Sequence, residues 1–278
     1  MTRVLSGAVL VAVAVAVVWL APPLIFLAVA EALLVLAFIE YAKLAAAGGT
    51  PVPFSPACAA TMLTSLGMGT SVWILDRPVL GTMVLDAILI SGFVALAAIT
   101  LTSWKGERDA LGRAAAAVFP MLYLGMPIGS MIAIRAQPGR EALFLLMLTV
   151  MASDTAQYYT GRALGRRLLA PAISPKKTVE GAIGGFVFGA LLLAVAGAWW
   201  LPGFPIGFRA LLGVAIVALG IAGDLFESML KRSAGVKDSS ALIPGHGGVL
   251  DRIDALLFAA PVYYIVLKYA SSGLGARG

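Results

Sequence analysis

LIFLAVAEALLVLAFIEYAKL, residues 24 to 44, decides the architecture. It is as long as the roughly 20-residue helix that crosses a bilayer core, and Glu31, Glu40 and Lys43 are its only charged residues. Runs of the same kind recur at Val4 to Leu20, Pro56 to Leu75, Val79 to Leu101, Ala114 to Ile134, Glu141 to Gly161, Gly181 to Leu201, Phe208 to Leu230 and Val249 to Tyr269. The 278 residues are 60% apolar and 12% charged, with a mean hydropathy of +0.97. Soluble domains carry about a quarter of their residues as charges. The expectation is therefore an all-α, polytopic integral membrane protein with about nine transmembrane helices. The first run is read as an uncleaved span, because apolar sequence resumes directly after Pro22 and Pro23.

Lysine and arginine set the orientation. With a cytoplasmic N-terminus, Arg3, Lys43, Lys105, Arg108, Arg113, Arg162, Arg166, Arg167, Lys176, Lys177, Lys231, Arg232 and Lys237 share one side, against Arg77, Arg135, Arg140, Arg209, Lys268 and Arg277 on the other. The richer side is cytoplasmic. Both long polar loops, 162–180 and 231–248, then face the cytoplasm of a cell whose inner (cytoplasmic) membrane holds the chain. The net charge of +6 follows from this bias and from anionic headgroups, so nucleic acid is not an expected partner. Cys58, alone in an apolar run, forms no intrachain disulfide and is read as packing. The organisation expected is N-terminal transmembrane helices over 1–113 and a C-terminal catalytic region over 114–278.

Ionisable groups inside apolar helices are costly and ask for a reason. Asp154 interrupts the sixth run, Asp224 and Glu227 the eighth, and Asp251 and Asp254 open the ninth. Asp224, Glu227, Ser228 and Lys231 have the spacing that puts them on one helix face. Carboxylates without a cysteine cluster or a second histidine suit magnesium, which keeps waters and shares its shell with phosphates, rather than zinc. Lys176, Lys177, Lys231, Arg232, Lys237 and Arg252 are the donors that a polyphosphate needs. Gly245-His246-Gly247-Gly248 precedes a helix start that favours an anion. Together these point to phosphoryl or nucleotidyl transfer at the membrane face. Singly, each has a plainer reading: the cations as ordinary flanking charges, His246 as a loop hydrogen-bonding group, and Glu31, Glu40 and Asp86 as helix contacts or interfacial groups without a chemical role. Glu107 and Asp109 read as a solvated loop face.

SMLKRSAGVKDSSALIPGHGGVLDRID, residues 228–254, resembles the signature of the phosphatidate cytidylyltransferase (CDP-diacylglycerol synthase) family. ISPKKTVEGAIGG at 173–185 resembles that family's other cytoplasmic loop, and ASDTAQYYTGRALGRR at 152–167 its Asp-containing helix end. The likeness is strongest over Ala152 to Asp254; before residue 150, IEYAKL at 39–44 is the one recognisable detail. The resemblance implies transfer of the cytidylyl group of CTP to phosphatidate, giving CDP-diacylglycerol and pyrophosphate, at a catalytic site on the cytoplasmic face of the C-terminal helices. It implies one or two magnesium ions on Asp224 and Asp251, with Lys231, Arg232, Lys237, His246 and Arg252 as further catalytic residues. Substrate binding is expected from Ser174, Lys176, Lys177, Thr178, Glu180, Asp154, Ser228, Gly247 and Gly248, and support from Glu227, Asp238 and Asp254. The expected partners are CTP, phosphatidate, membrane lipid and a second copy of the chain meeting through Gly184, Gly185 and Gly189. A membrane transporter is the alternative, with its site near mid-membrane. Other lipid-phosphate transferases are nearer rivals, but the chain has neither a GxxxxGK[ST] loop nor the Asp-rich helix motif of CDP-alcohol phosphotransferases.

Overall fold

A computed structural model describes residues 2–70, 78–106, 109–240, 242 and 247–275. They are mostly helical: α1 Thr2–Leu20, α2 Pro23–Ala47, α3 Phe54–Thr70, α4 Pro78–Ser103, α5 Ala110–Pro120, a π-helical turn Met121–Gly125, α6 Met126–Ala136, α7 Arg140–Leu164, α8 Val179–Trp200, α9 Ile206–Ser233 and α10 Leu250–Gly275. Two short strands, β1 Leu168–Ala170 and β2 Ser174–Thr178, pair antiparallel between α7 and α8. The all-α expectation holds apart from this short hairpin. The polar segment has no apolar period on which to build a helix, and Pro171 at the head of the turn 171–173 favours a hairpin.

Among the described residues six helical stretches are long and apolar enough to cross a membrane: Pro23–Ala47, Gly81–Ser103, Ala110–Ala136, Val179–Trp200, Ile206–Ser233 and Leu250–Ala270. Three of the nine expected spans do not reach that standard. For α1 the apolar stretch found among the described residues is Val9–Leu20. The 17-residue α3 interleaves Thr61, Thr64 and Ser65, and the rest of its expected span, 71–75, lies outside the described residues. The helix α7 carries Arg140, Glu141, Asp154 and Arg162 along its length. The α4 helix exposes Met83, Ile90, Phe93 and Val94, an apolar surface suited to lipid.

The chain packs as two compact units. One comprises 1–137 and 230–252. Within it, Pro23 sets the first turn of α2, where its missing N–H costs nothing. Leu34, Ala37 and Phe38 of that helix are fully buried. Gly125 and Gly129 let the π turn and α6 come against the backbone of α3: a Cβ at either would lie 2.7 Å from the carbonyl oxygen of Thr61 or Ser65. The hydroxyls of Thr61 and Thr64 return to the carbonyls of Ala57 and Ala60, which satisfies these two buried donors within their own helix.

The other unit comprises 138–229 and 253–278, where α7 lies along α8. Thr178 caps α8 by accepting from Gly181 N–H at 3.1 Å. Close packing rests on buried glycines: a Cβ at Gly184 would meet Thr160, at Gly185 Gln157 and Ser153, and at Gly189 Val217. These are the glycines expected to face a second copy. They are instead covered within the chain by α7 and α9, because small residues permit close approach to whichever helix is nearest. Gly223 does the same between α9 and α10, lying against the Asp254 carbonyl.

Candidate active site

The α9 helix continues through Ser233, so Lys231 and Arg232 occupy its last turn and not the loop expected to begin at 231. Cations there complement the negative end of the helix dipole. In the first unit, Lys231 is buried and its Nζ lies 2.5 Å from Asp251 Oδ1 in the first turn of α10. The other Asp251 oxygen accepts from Ser239 N–H at 3.0 Å, from Gly248 N–H at 2.7 Å and from the Ser239 hydroxyl at 2.7 Å. Asp251 thus gathers α9, the start of the following segment and its glycine end around one carboxylate. Gly247 has φ +78°, and a Cβ on it would lie 2.6 Å from Asp251 Oδ2. A side chain there is opposed by both conformation and space. His246 and Gly245 lie outside the described residues.

The same cluster contains a residue expected to have no role. Glu40, 2% exposed, accepts from Ser240 Oγ at 2.6 Å and Val249 N–H at 3.0 Å on Oε1, and from Leu250 N–H at 2.8 Å on Oε2. The Ser239 hydroxyl stands 2.9 Å from Oε2, its single proton shared in turn with Asp251. The helix-contact reading of Glu40 is therefore made specific: it meets the start of α10 and the two serines before it. Its partners are some 200 positions away in the chain, beyond the reach of any periodicity argument, and the one signal pointing to it was its place in IEYAKL.

In the second unit, Lys177 Nζ lies 2.5 Å from Asp224 Oδ2, with side-chain exposures of 21% and 32%. Ser228 donates to Asp224 Oδ1 at 3.4 Å. Asp154, Asp224 and Asp254 are within electrostatic reach of one another and of Lys177, three carboxyl groups around one ammonium. Gln157 donates to Asp154 at 3.0 Å. Asp254 accepts from Ala255 N–H at 2.8 Å. Glu227 is fully buried on α9. Glu180, in the first turn of α8, accepts from the Arg166 and Arg167 N–H groups at 3.0 and 3.2 Å; it ties the strand entry to the helix start.

Other expected residues are less engaged. Ser174 sits half-buried on β2, while Lys176, Lys237, Asp238 and Arg252 lie at the surface. Arg232 is also exposed and donates to the Val236 carbonyl at 3.2 Å. Among the described residues no three His, Cys, Asp or Glu side chains form a ready-made metal cage. Magnesium takes one or two carboxylates and fills its shell with water and phosphate oxygens. The donor chemistry around Asp224 fits such an ion, since three carboxylates share the influence of Lys177.

The residue pattern of the Cytidylyltransferase family matches residues 1–270. The chain belongs to this family. Among its relatives, the phosphatidate cytidylyltransferase of Haemophilus influenzae is 50% identical over 131 residues, covering 44% of this chain and 45% of that protein. The Synechocystis sp. protein of the same name is 52% identical over 132 residues, 46% of this chain and 44% of its own. In these two comparisons the chain spans about half the length of the relative. The phosphatidate cytidylyltransferase of Brucella suis biovar 1 is 38% identical over 204 residues, 69% of this chain and 70% of that protein. The resemblance read at 173–185 and 228–254 thus holds across the chain, N-terminal helices included, as a property of the family.

Proposed function

We propose that this chain is a phosphatidate cytidylyltransferase, transferring the cytidylyl group of CTP to phosphatidate with release of pyrophosphate. The observation that carries the reading is the family membership, joined to two lysine–carboxylate pairs built from its signature residues: Lys177 with Asp224, and Lys231 with Asp251. Phosphatidate's own phosphate oxygen attacks the α-phosphorus of CTP, and the bond from that phosphorus to the β-bridging oxygen breaks. The protein supplies no nucleophile. It must orient two polyanions and stabilise charge on the leaving pyrophosphate.

Roles are assigned residue by residue. Lys177 and Lys231 exchange their carboxylates for phosphate oxygens, and the surface cations Lys176, Arg232, Lys237 and Arg252 attract and hold the remaining phosphate charge. Asp224, half-exposed and beside Asp154 and Asp254, would hold magnesium, which when bound neutralises the nucleotide phosphates. Asp251 is already filled by its donors in this structure, so a metal role there requires Lys231 to leave first. His246, Ser174, Ser228 and Gly248 complete the substrate contacts, with catalysis resting on 114–278. The apolar helices support a multi-pass membrane protein. We place the N-terminus and both polar segments in the cytoplasm on the lysine and arginine asymmetry, with α1, α3 and α7 as further spans. The diacyl chains then stay in the bilayer while CTP arrives from water.

The test is purified protein in detergent with magnesium, CTP and phosphatidate. CDP-diacylglycerol and pyrophosphate formed in equal amounts support the assignment. Well-folded protein that forms neither product, while moving solute across vesicles without CTP turnover, would replace it with the transporter reading.

A further inference from the structure

We propose that Glu40 is a positioning residue for catalysis: its carboxylate fixes both ends of the segment from Ser239 to Leu250, and through it the Asp251–Lys231 pair. This rests on the cytidylyltransferase reading. At one end of the segment Glu40 is bonded by the Ser239 and Ser240 hydroxyls; at the other, by the Val249 and Leu250 N–H groups. Those two amides open α10, where the first N–H groups have no partner within the helix, and a buried carboxylate there is favoured by the helix dipole.

The site requires an acceptor on both oxygens. Each Glu40 oxygen faces one hydroxyl and one backbone N–H, so an amide in place of the carboxylate would turn its own N–H groups toward a backbone donor. A Cβ on Gly248 would lie 2.1 Å from Ser239 Oγ and 2.4 Å from both Glu40 oxygens, so the backbone passes the cluster at a distance only glycine permits. Asp251 follows one residue after Leu250 and takes Lys231 with it. Loosening Glu40 therefore displaces the first turn of α10 and the pair it carries. Glu40 itself contacts no reacting atom.

The experiment compares wild type, Glu40→Gln, Glu40→Asp and Ser240→Ala in detergent, measuring steady-state kinetics and amide hydrogen exchange over 239–250. In Glu40→Gln, kcat falls by about ten- to a hundredfold, the cost typical of a displaced catalytic geometry, with the larger share of the loss in kcat and not KM. The amides of Val249 and Leu250 exchange faster, while α3 and α6 exchange as in wild type. Glu40→Asp, which keeps two acceptors at shorter reach, recovers part of kcat. Ser240→Ala, which removes one donor and leaves the carboxylate in place, gives a smaller loss and keeps the test open if Glu40→Gln does not fold. Unchanged exchange at 249–250 together with wild-type kcat in folded Glu40→Gln would overturn the proposal. If wild type has no cytidylyltransferase activity, the functional reading fails separately, and the exchange comparison still decides whether Glu40 holds the segment.

Discussion

The ion pair between Lys177 and Asp224 offers the sharpest test of the site, because two distant polar segments supply its halves. At 2.5 Å two unit charges attract by about 7 kcal/mol at an effective dielectric of about 20, before any desolvation cost. Side-chain exposures of 21% and 32% leave solvent screening and side-chain entropy to remove much of this. A coupling of about 1–3 kcal/mol remains, within the range of about 0.5–3 kcal/mol measured for residues in contact. A double-mutant cycle of Lys177→Met and Asp224→Asn, read in kcat/KM for CTP-dependent CDP-diacylglycerol formation, therefore departs from additivity by about 5- to 150-fold. Its direction is also fixed. Lys177→Met leaves Asp154, Asp224 and Asp254 without the cation they share, so it costs more in wild type than on the Asp224→Asn background. Detergent-purified protein with an unchanged helical spectrum and a single elution peak validates each variant. Strictly additive losses in kcat/KM would refute the coupling and, with it, the assignment of both residues to one functional cluster.

Three further outcomes follow from the geometry. Gly184→Val drives a side chain into Thr160, where even a Cβ would stand 2.3 Å from Oγ1, and destabilises the α7–α8 pair by about 1–3 kcal/mol; thermal unfolding in detergent reports the loss, and the oligomeric state is unaffected. Thr178→Ala removes the side-chain cap on Gly181 N–H at a cost of about 1 kcal/mol, whereas Thr178→Ser retains it; the two melting temperatures separate accordingly. Chelation of divalent cations abolishes turnover and added magnesium restores it, as a shell shared between Asp224, water and CTP phosphates requires. Full activity in excess chelator would remove the metal from the proposal.

Much of the fold was legible because its strongest signal is local. Apolar runs such as 24–44 and 181–201 became α2 and α8 because length and hydropathy alone determine a span. Length and hydropathy say less where polar residues interrupt a helix, as they do in α3 and α7. Asp154 and its polar neighbours reduce the apolarity of α7 while its buried face is satisfied by the glycines of α8, so composition and packing give opposing answers. The hairpin at 168–178 and the extra turn of α9 were missed for a different reason: both occur in polar stretches, where hydrophobic periodicity is silent. At the site, residue types were readable from chemistry and resemblance, but partners were not. Asp224 and Lys177 were assigned to different tasks and turn out to be in contact. Glu40 accepts as many bonds as Asp251, yet a pairing across some 200 residues leaves no mark on spacing.

The lysine pairs also constrain how such a site can turn over. A buried ion pair such as Lys231–Asp251 costs desolvation on both partners, and the partly exposed Lys177–Asp224 pair is weakened by solvent screening. In the proposed reaction their value would lie in exchange: Lys231 and Lys177 are held by carboxylates that phosphate oxygens would replace at the same nitrogen, a swap of one anion for another. The released Asp224 then has its oxygens available for a cation, and charge stays balanced at each stage. An arginine at either position would hold a carboxylate in a two-point fork and release it less readily. Lys177→Arg should therefore preserve substrate binding better than Lys177→Met while slowing turnover, seen as a lower kcat at nearly unchanged KM. A Lys177→Arg enzyme with wild-type kcat would show that exchange of the pair does not limit the reaction.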